Sequence, residues 1–78
     1  MNVNEIIELE NNTSFLLLLN SKIDNDNYFL AVRLENDETP TQEYIVLKEV
    51  IKNNEICTQK VKDSIILNKL LAEFQLSI

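Results

Sequence analysis

Histidine, glycine and tryptophan are absent from this 78-residue chain, which holds one cysteine (Cys57), one arginine (Arg33) and one proline (Pro40). Each absence closes a class of function. Without histidine there is no Ser-His-Asp or Cys-His arrangement to activate Ser14, Ser21 or Cys57, and no imidazole to share a zinc ion. Without glycine there is no loop that wraps closely around a phosphate, and no EF-hand, whose sharp turn needs glycine at its sixth position. A single cysteine forms no disulfide within the chain and fits a reducing compartment. Set mid-strand in Glu55-Ile56-Cys57-Thr58, it reads as a buried structural thiol. The longest apolar run, Phe15 to Leu19, has five residues, against the ~20 that span a bilayer. Met1-Asn2-Val3-Asn4-Glu5 carries acid where an export signal carries base. These features predict a cytoplasmic protein that is not an enzyme, with no cofactor, no metal site and no membrane association.

Charge narrows the partners. Thirteen acids against seven bases give a net charge of −6, the wrong sign for direct contact with nucleic acid, where clustered Lys and Arg neutralise phosphate. The simpler reading is that the charge keeps a small protein soluble. The sharper one is that an acidic surface mimics nucleic acid or meets a basic protein. The acidic stretches Asp24-Asn25-Asp26-Asn27 and Glu35-Asn36-Asp37-Glu38 read as solvated turns. Tyr28, Phe29 and Arg33 are a possible base-stacking group, but with no basic patch beside it Tyr28 is assigned to the core.

The hydrophobic fraction of 45% is that of a folded domain, and the length allows one domain, residues 1–78. A chain this short buries roughly 60% of the surface it exposes when unfolded, and its core supplies no more than ~3–5 kcal/mol. A partner or a second copy is therefore a natural source of added stability.

The hydrophobic pattern predicts strands over residues 5–10, 14–23, 28–35, 42–51 and 55–61. The third is the clearest: Tyr28, Leu30, Val32 and Leu34 alternate with Phe29, Ala31, Arg33 and Glu35. The connections are Glu10-Asn11-Asn12-Thr13, Asp24 to Asn27, a loop from Asn36 to Thr41, and Lys52-Asn53-Asn54. Asparagine tolerates positive φ and stands in for the missing glycine. Connections this short favour antiparallel neighbours. From Asp63 the period changes: Ile66, Leu67, Leu70, Leu71 and Phe74 fall on one helical stripe, with Asp63 or Ser64 as N-cap and Ile65 off the stripe. The expected fold is α+β, an antiparallel meander of four or five strands with one C-terminal helix on the face of Tyr28, Leu30 and Val32.

Phe15-Leu16-Leu17-Leu18-Leu19 and Tyr44-Ile45-Val46-Leu47 do not alternate, which indicates that both sheet faces are covered. Either the second face, with Leu16, Leu18, Ile45 and Leu47, packs against another chain, or the sheet twists around the helix and N-terminal residues cover the rest.

The order of these segments resembles the bacterial domain-of-unknown-function family 1292, small acidic proteins of Bacillota. The match runs from about residue 5 to residue 74. It is carried by Ile6-Ile7-Glu8-Leu9, Phe15-Leu16-Leu17, Tyr28-Phe29-Leu30-Ala31-Val32, the acidic loop Glu35 to Glu38, Gln42 to Leu47, and Asp63 ahead of Leu70-Leu71-Ala72-Glu73-Phe74. The resemblance implies a small sheet with a C-terminal helix and no assigned activity.

The leading functional expectation is a protein-binding module, self-associating or not. It would use the face of Leu16, Leu18, Ile45 and Leu47, or a free strand edge by strand addition. The alternative is an inhibitor encoded by a phage or mobile element. There Glu35, Asp37, Glu38 and Glu43 would occupy the basic nucleic-acid channel of a host defence nuclease. Eleven asparagines, and lysine well ahead of arginine, fit an AT-rich bacterial or phage coding sequence.

Overall fold

Asparagine and aspartate hold the positions that glycine takes in most hairpins. Eight described residues have φ between 50° and 73°: Asn4, Asn12, Asp24, Asn25, Asn36, Asp37, Asn53 and Asn54. Their short polar side chains bond locally and make the left-handed region tolerable. Six of them form three consecutive pairs, Asp24-Asn25, Asn36-Asp37 and Asn53-Asn54. Two successive positive φ values mark the hairpin turn whose twist matches that of the flanking strands.

The computed structural model describes residues 1–9 and 12–76, the last two by backbone alone. The turn expected at Glu10-Asn11 therefore lies outside the described residues. The elements are β1 (Ile6–Leu9), β2 (Thr13–Ile23), β3 (Asp26–Glu35), β4 (Thr39–Lys52), β5 (Glu55–Lys60) and α1 (Ser64–Leu76). The strands form one antiparallel, curled sheet in the order β1-β2-β3-β4-β5, the α+β meander read from the pattern. The loop expected over 36–41 is shorter. The turn is Asn36 to Glu38, and β4 begins at Thr39 with Pro40 paired to Leu34. Proline is tolerated there because β5 pairs with β4 only from Leu47 to Lys52, so no neighbour on that side asks Pro40 for an N–H.

The sheet buries both faces. On one, Tyr28, Leu30 and Val46 pack against Leu70 and Phe74 of α1, with Leu18, Leu19, Ile66 and Leu67 around them. Asp63 caps this helix: its Oδ1 accepts the N–H groups of Ile65 (2.9 Å) and Ile66 (3.3 Å). Ile65 is exposed as expected, and so is Leu71, which the helical stripe had placed on the core. On the other face, Phe15, Leu17, Phe29, Ala31 and Leu47 form a second core, closed by Met1, Ile7, Leu9 and Ile45. N-terminal residues thus cover part of that face.

The unbroken run from Phe15 to Leu19 is explained by a β-bulge. Leu17 pairs with Ala31 but Leu19 pairs with Leu30, so Leu18 is an extra residue on β2. The extra residue inverts the alternation: Phe15 and Leu17 enter the second core, while Leu18 and Leu19 both join the helix-side core. This corrects the expectation that Leu16, Leu18, Ile45 and Leu47 share a face. Ile45 and Leu47 belong to the second core, Leu18 packs towards the helix, and Leu16 lies opposite Val32 on the helix side. Among the described residues no helix is long and apolar enough to cross a membrane.

The turns generate a stability prediction. Asn54→Gly should leave stability unchanged or raise it by up to about 1 kcal/mol, because glycine adopts positive φ without strain. Asn54→Val should cost about 1–2 kcal/mol. Urea midpoints of the three proteins check this; a valine variant as stable as the parent would show that the left-handed turn does not form.

Candidate functional site: a cleft between the two free sheet edges

β1 and β5 are the outer strands of the sheet and, among the described residues, do not pair with each other. The curl brings residues of both to a single cleft of about 620 Å³ on the face opposite the helix. Its floor is apolar: Leu9, Phe15, Ile45 and Leu47. Its rim is polar, with the Thr13 and Thr58 hydroxyls and the charges of Arg33, Glu43 and Lys60. An apolar floor with a few placed polar groups, in this range of volume, is the usual character of a binding site.

The rim depends on a second bulge. Val32 pairs with Tyr44 but Leu34 pairs with Pro40, so β4 carries surplus residues between those pairs. The Thr41 hydroxyl fills the gap. It donates to the Arg33 carbonyl oxygen (2.8 Å), which has lost its ladder partner, and accepts the Glu43 N–H (3.2 Å). Glu43 is thereby aimed at Arg33. The Arg33 Nε lies 2.7 Å from Glu43 Oε2, and its second nitrogen donates to Oε1 at 3.2 Å. This two-pronged hydrogen bond, aided by the attraction of opposite charges, holds the Glu43 carboxyl below the ordinary glutamate range. The same hydrogen bond is the main influence raising Arg33, with the charges of Glu43 and Glu35 adding to it. Lys60 has no such partner among the described residues.

The acids singled out from the sequence are only partly gathered. Glu35, Asp37 and Glu38 sit at the β3–β4 turn, all exposed. Asp37 accepts the hydroxyl of buried Ser14 and Glu43 is engaged by Arg33, so two of the four carboxylates already serve the chain's own structure. Of the apolar candidates, Ile45 and Leu47 reach the cleft floor, while Leu16 and Leu18 lie on the other side of the sheet. Cys57, expected to be buried, is half-buried on the helix side of β5, opposite Val50. Sequence reasoning missed Thr13, Thr41, Thr58 and Lys60. Of these, Lys60 carried a signal, as the one charged residue in the second half of β5.

A smaller cavity of about 200 Å³ lies beside the helix, where Tyr44, Leu67 and Leu71 border Leu30 and Val46. Among the described residues no three Cys, Asp or Glu side chains converge to hold a metal ion.

Two predictions test the rim. Thr41→Val should cost about 1 kcal/mol, because the part-buried Arg33 carbonyl loses its partner, whereas Thr41→Ser should retain most of the stability; thermal or urea melts decide. Arg33→Gln should raise the Glu43 titration midpoint towards the ordinary glutamate value, read by NMR of the side-chain carboxyl. Because Glu43 is depressed in the folded chain, the pair's contribution is present above the ordinary glutamate pKa and is lost as pH falls through the lower, folded value. An unmoved midpoint in Arg33→Gln would mean that the pair is not formed in solution.

No protein-family model, curated protein or solved structure matches the chain, and the resemblance to family 1292 rests on the pattern residues that carry it.

Proposed function

We propose that this protein is a non-enzymatic protein-binding module that docks its partner in the cleft between β1 and β5. One observation carries the reading: an apolar floor of Leu9, Phe15, Ile45 and Leu47 lies between two strand edges that have no neighbour in the sheet. Free edges are templates for pairing, and an apolar floor beside them supplies the pockets that give such pairing its selectivity. The charged groups of the lining are Arg33, Glu43 and Lys60. The first two hold each other, an arrangement that suits orientation of a ligand better than proton transfer to it.

Selection of binders from a random displayed-peptide library tests the reading. Binders enriched on the parent protein should lose about tenfold or more in affinity when Ile45→Glu places a charge in the floor. They should lose similarly with Thr58→Arg, an edge-strand change at a half-buried residue that obstructs the rim and lies outside both cores; circular dichroism confirms that both variants fold. Binders that keep their affinity for both variants would place recognition elsewhere on the molecule.

A further inference from the structure

The backbone pattern of the two free edges is more specific than the cleft itself. Val61 N–H donates to the Val46 carbonyl at 2.9 Å. Hydrogen-bonded and non-bonded pairs alternate along an antiparallel ladder, so in β5 the residues at positions 55, 57 and 59 bond to β4. Ile56, Thr58 and Lys60 then direct their N–H and C=O groups outwards. These same three residues stand opposite Ile51, Glu49 and Leu47. Directly opposed residues share a face, so their side chains lie on the face of Leu47, which is the cleft face. At the other edge, Leu17 N–H donates to the Glu5 carbonyl at 2.9 Å. The alternation makes Ile7 and Leu9 the bonded residues of β1 and leaves Ile6 and Glu8 with outward backbone groups. Ile7 and Leu9 pack on the cleft-side core, so the Ile6 and Glu8 side chains lie on the opposite face.

The two edges are therefore out of phase with each other by one residue. A single extended strand running antiparallel to both resolves this. Its residues i, i+2 and i+4 bond to β5 with side chains in the cleft, and residues i+1 and i+3 bond to β1 with side chains outside. Alternate outward bonding is an elementary property of a strand, and such a strand matches the bonding phase of both edges.

Resting on the reading of the cleft as a protein-docking site, we infer that its occupant is an extended segment of another protein, inserted as a sixth, antiparallel strand. Its cleft-facing sequence is an acid, then a β-branched residue, then an aliphatic residue, at alternate positions. The acid lies opposite Lys60, the β-branched residue opposite Thr58, and the aliphatic residue opposite Ile56. Charge argues for this chemistry. Residues 1–47 carry nine carboxylates against Lys22 and Arg33, whereas residues 48–62 carry four lysines against two glutamates. The β5 side is the cationic side of an acidic protein, and Lys60 is its unpaired charge at the cleft. Exposure argues for the aliphatic end: Ile51 and Ile56, paired across β4 and β5, are 74% and 59% exposed.

The test uses two capped peptides, Ser-Glu-Thr-Val-Thr-Ile-Ser and the same peptide with Lys in place of Glu, titrated into the isotope-labelled protein. The first should slow amide exchange at Ile56, Thr58 and Lys60 and at Ile6 and Glu8, and shift the Ile45 and Leu47 methyl signals. It should bind about three- to fivefold tighter than the Lys peptide, the usual size of an exposed charge-pair effect, and Lys60→Glu should reverse that order. If the peptide shifts Ile45 and Leu47 but leaves both edges exchanging as before, strand insertion is overturned while the docking cleft stands. If neither edge nor floor responds, this proposal is overturned, and the display-selected binders decide separately whether the cleft docks any protein. Protection of the β5 amides that grows with protein concentration, without peptide, would make a second copy the occupant and overturn the proposal as well.

Discussion

Everything in this fold follows from the register of three hairpins whose turns are built without glycine. Each turn needs two successive residues in the left-handed region, and Asp24-Asn25, Asn36-Asp37 and Asn53-Asn54 provide them. A one-residue slip in any of these turns would move every side chain of the following strand to the other face. In a chain with two separate thin cores such a slip would expose one core and bury charge in the other. Asparagine and aspartate adopt positive φ at more cost than glycine, but they restrict the unfolded chain more as well. The chain accepts a little strain at its reversals in exchange for turns with fewer alternatives.

Given that register, two bulges decide how the faces are used. The extra residue at Leu18 sends one apolar run to both cores, which lets a single strand serve the helix on one side and the curled sheet on the other. The surplus in β4 opposite Arg33 breaks the ladder, and Thr41 repairs it with its hydroxyl. Added curl is the general consequence of a bulge, and a curled sheet of five strands brings its first and last strands towards each other without an obligatory pairing. The cleft is thus a product of the same irregularities that let so small a chain close both faces of its sheet.

These physical origins explain what was legible in the sequence. Hairpin turns are local, so the asparagine-rich connections and the alternation of Tyr28 to Glu35 were readable. The Asp63 cap was readable too, since its partners lie two and three residues on. Bulges are properties of a pair of strands. Nothing within Phe15 to Leu19 says which leucine is the extra one until Ala31 and Leu30 are placed beside it. The sequence therefore signalled that both faces were covered but could not divide Leu16, Leu18, Ile45 and Leu47 between them. Arg33 and Glu43 were each visible as charges. Their pairing, and the Thr41 bridge that sets it, depended on the shifted register, and so did the site's rim.

An open sheet with two free edges invites unwanted pairing, and the two edges limit it differently. β1 is four residues long and carries an outward-facing acid, Glu8, the kind of short charged edge that resists extension. β5 is longer, and its outward-facing residues Ile56, Thr58 and Lys60 permit a two-fold pairing of two copies centred on Thr58, since all three share one face. That pairing would set each Lys60 directly opposite an Ile56 of the other copy, an ammonium beside an aliphatic group instead of a carboxylate. An acidic guest strand places a carboxylate at that position instead. Lys60 thus favours the guest and disfavours the self-pair through the same charge, and discrimination between partners is a difference of this kind. The chain's overall acidity acts in the same direction between copies, because two molecules of charge −6 repel before their edges meet. An acidic segment from another protein meets that general repulsion too, but its carboxylate is set opposite Lys60, where a local attraction offsets it.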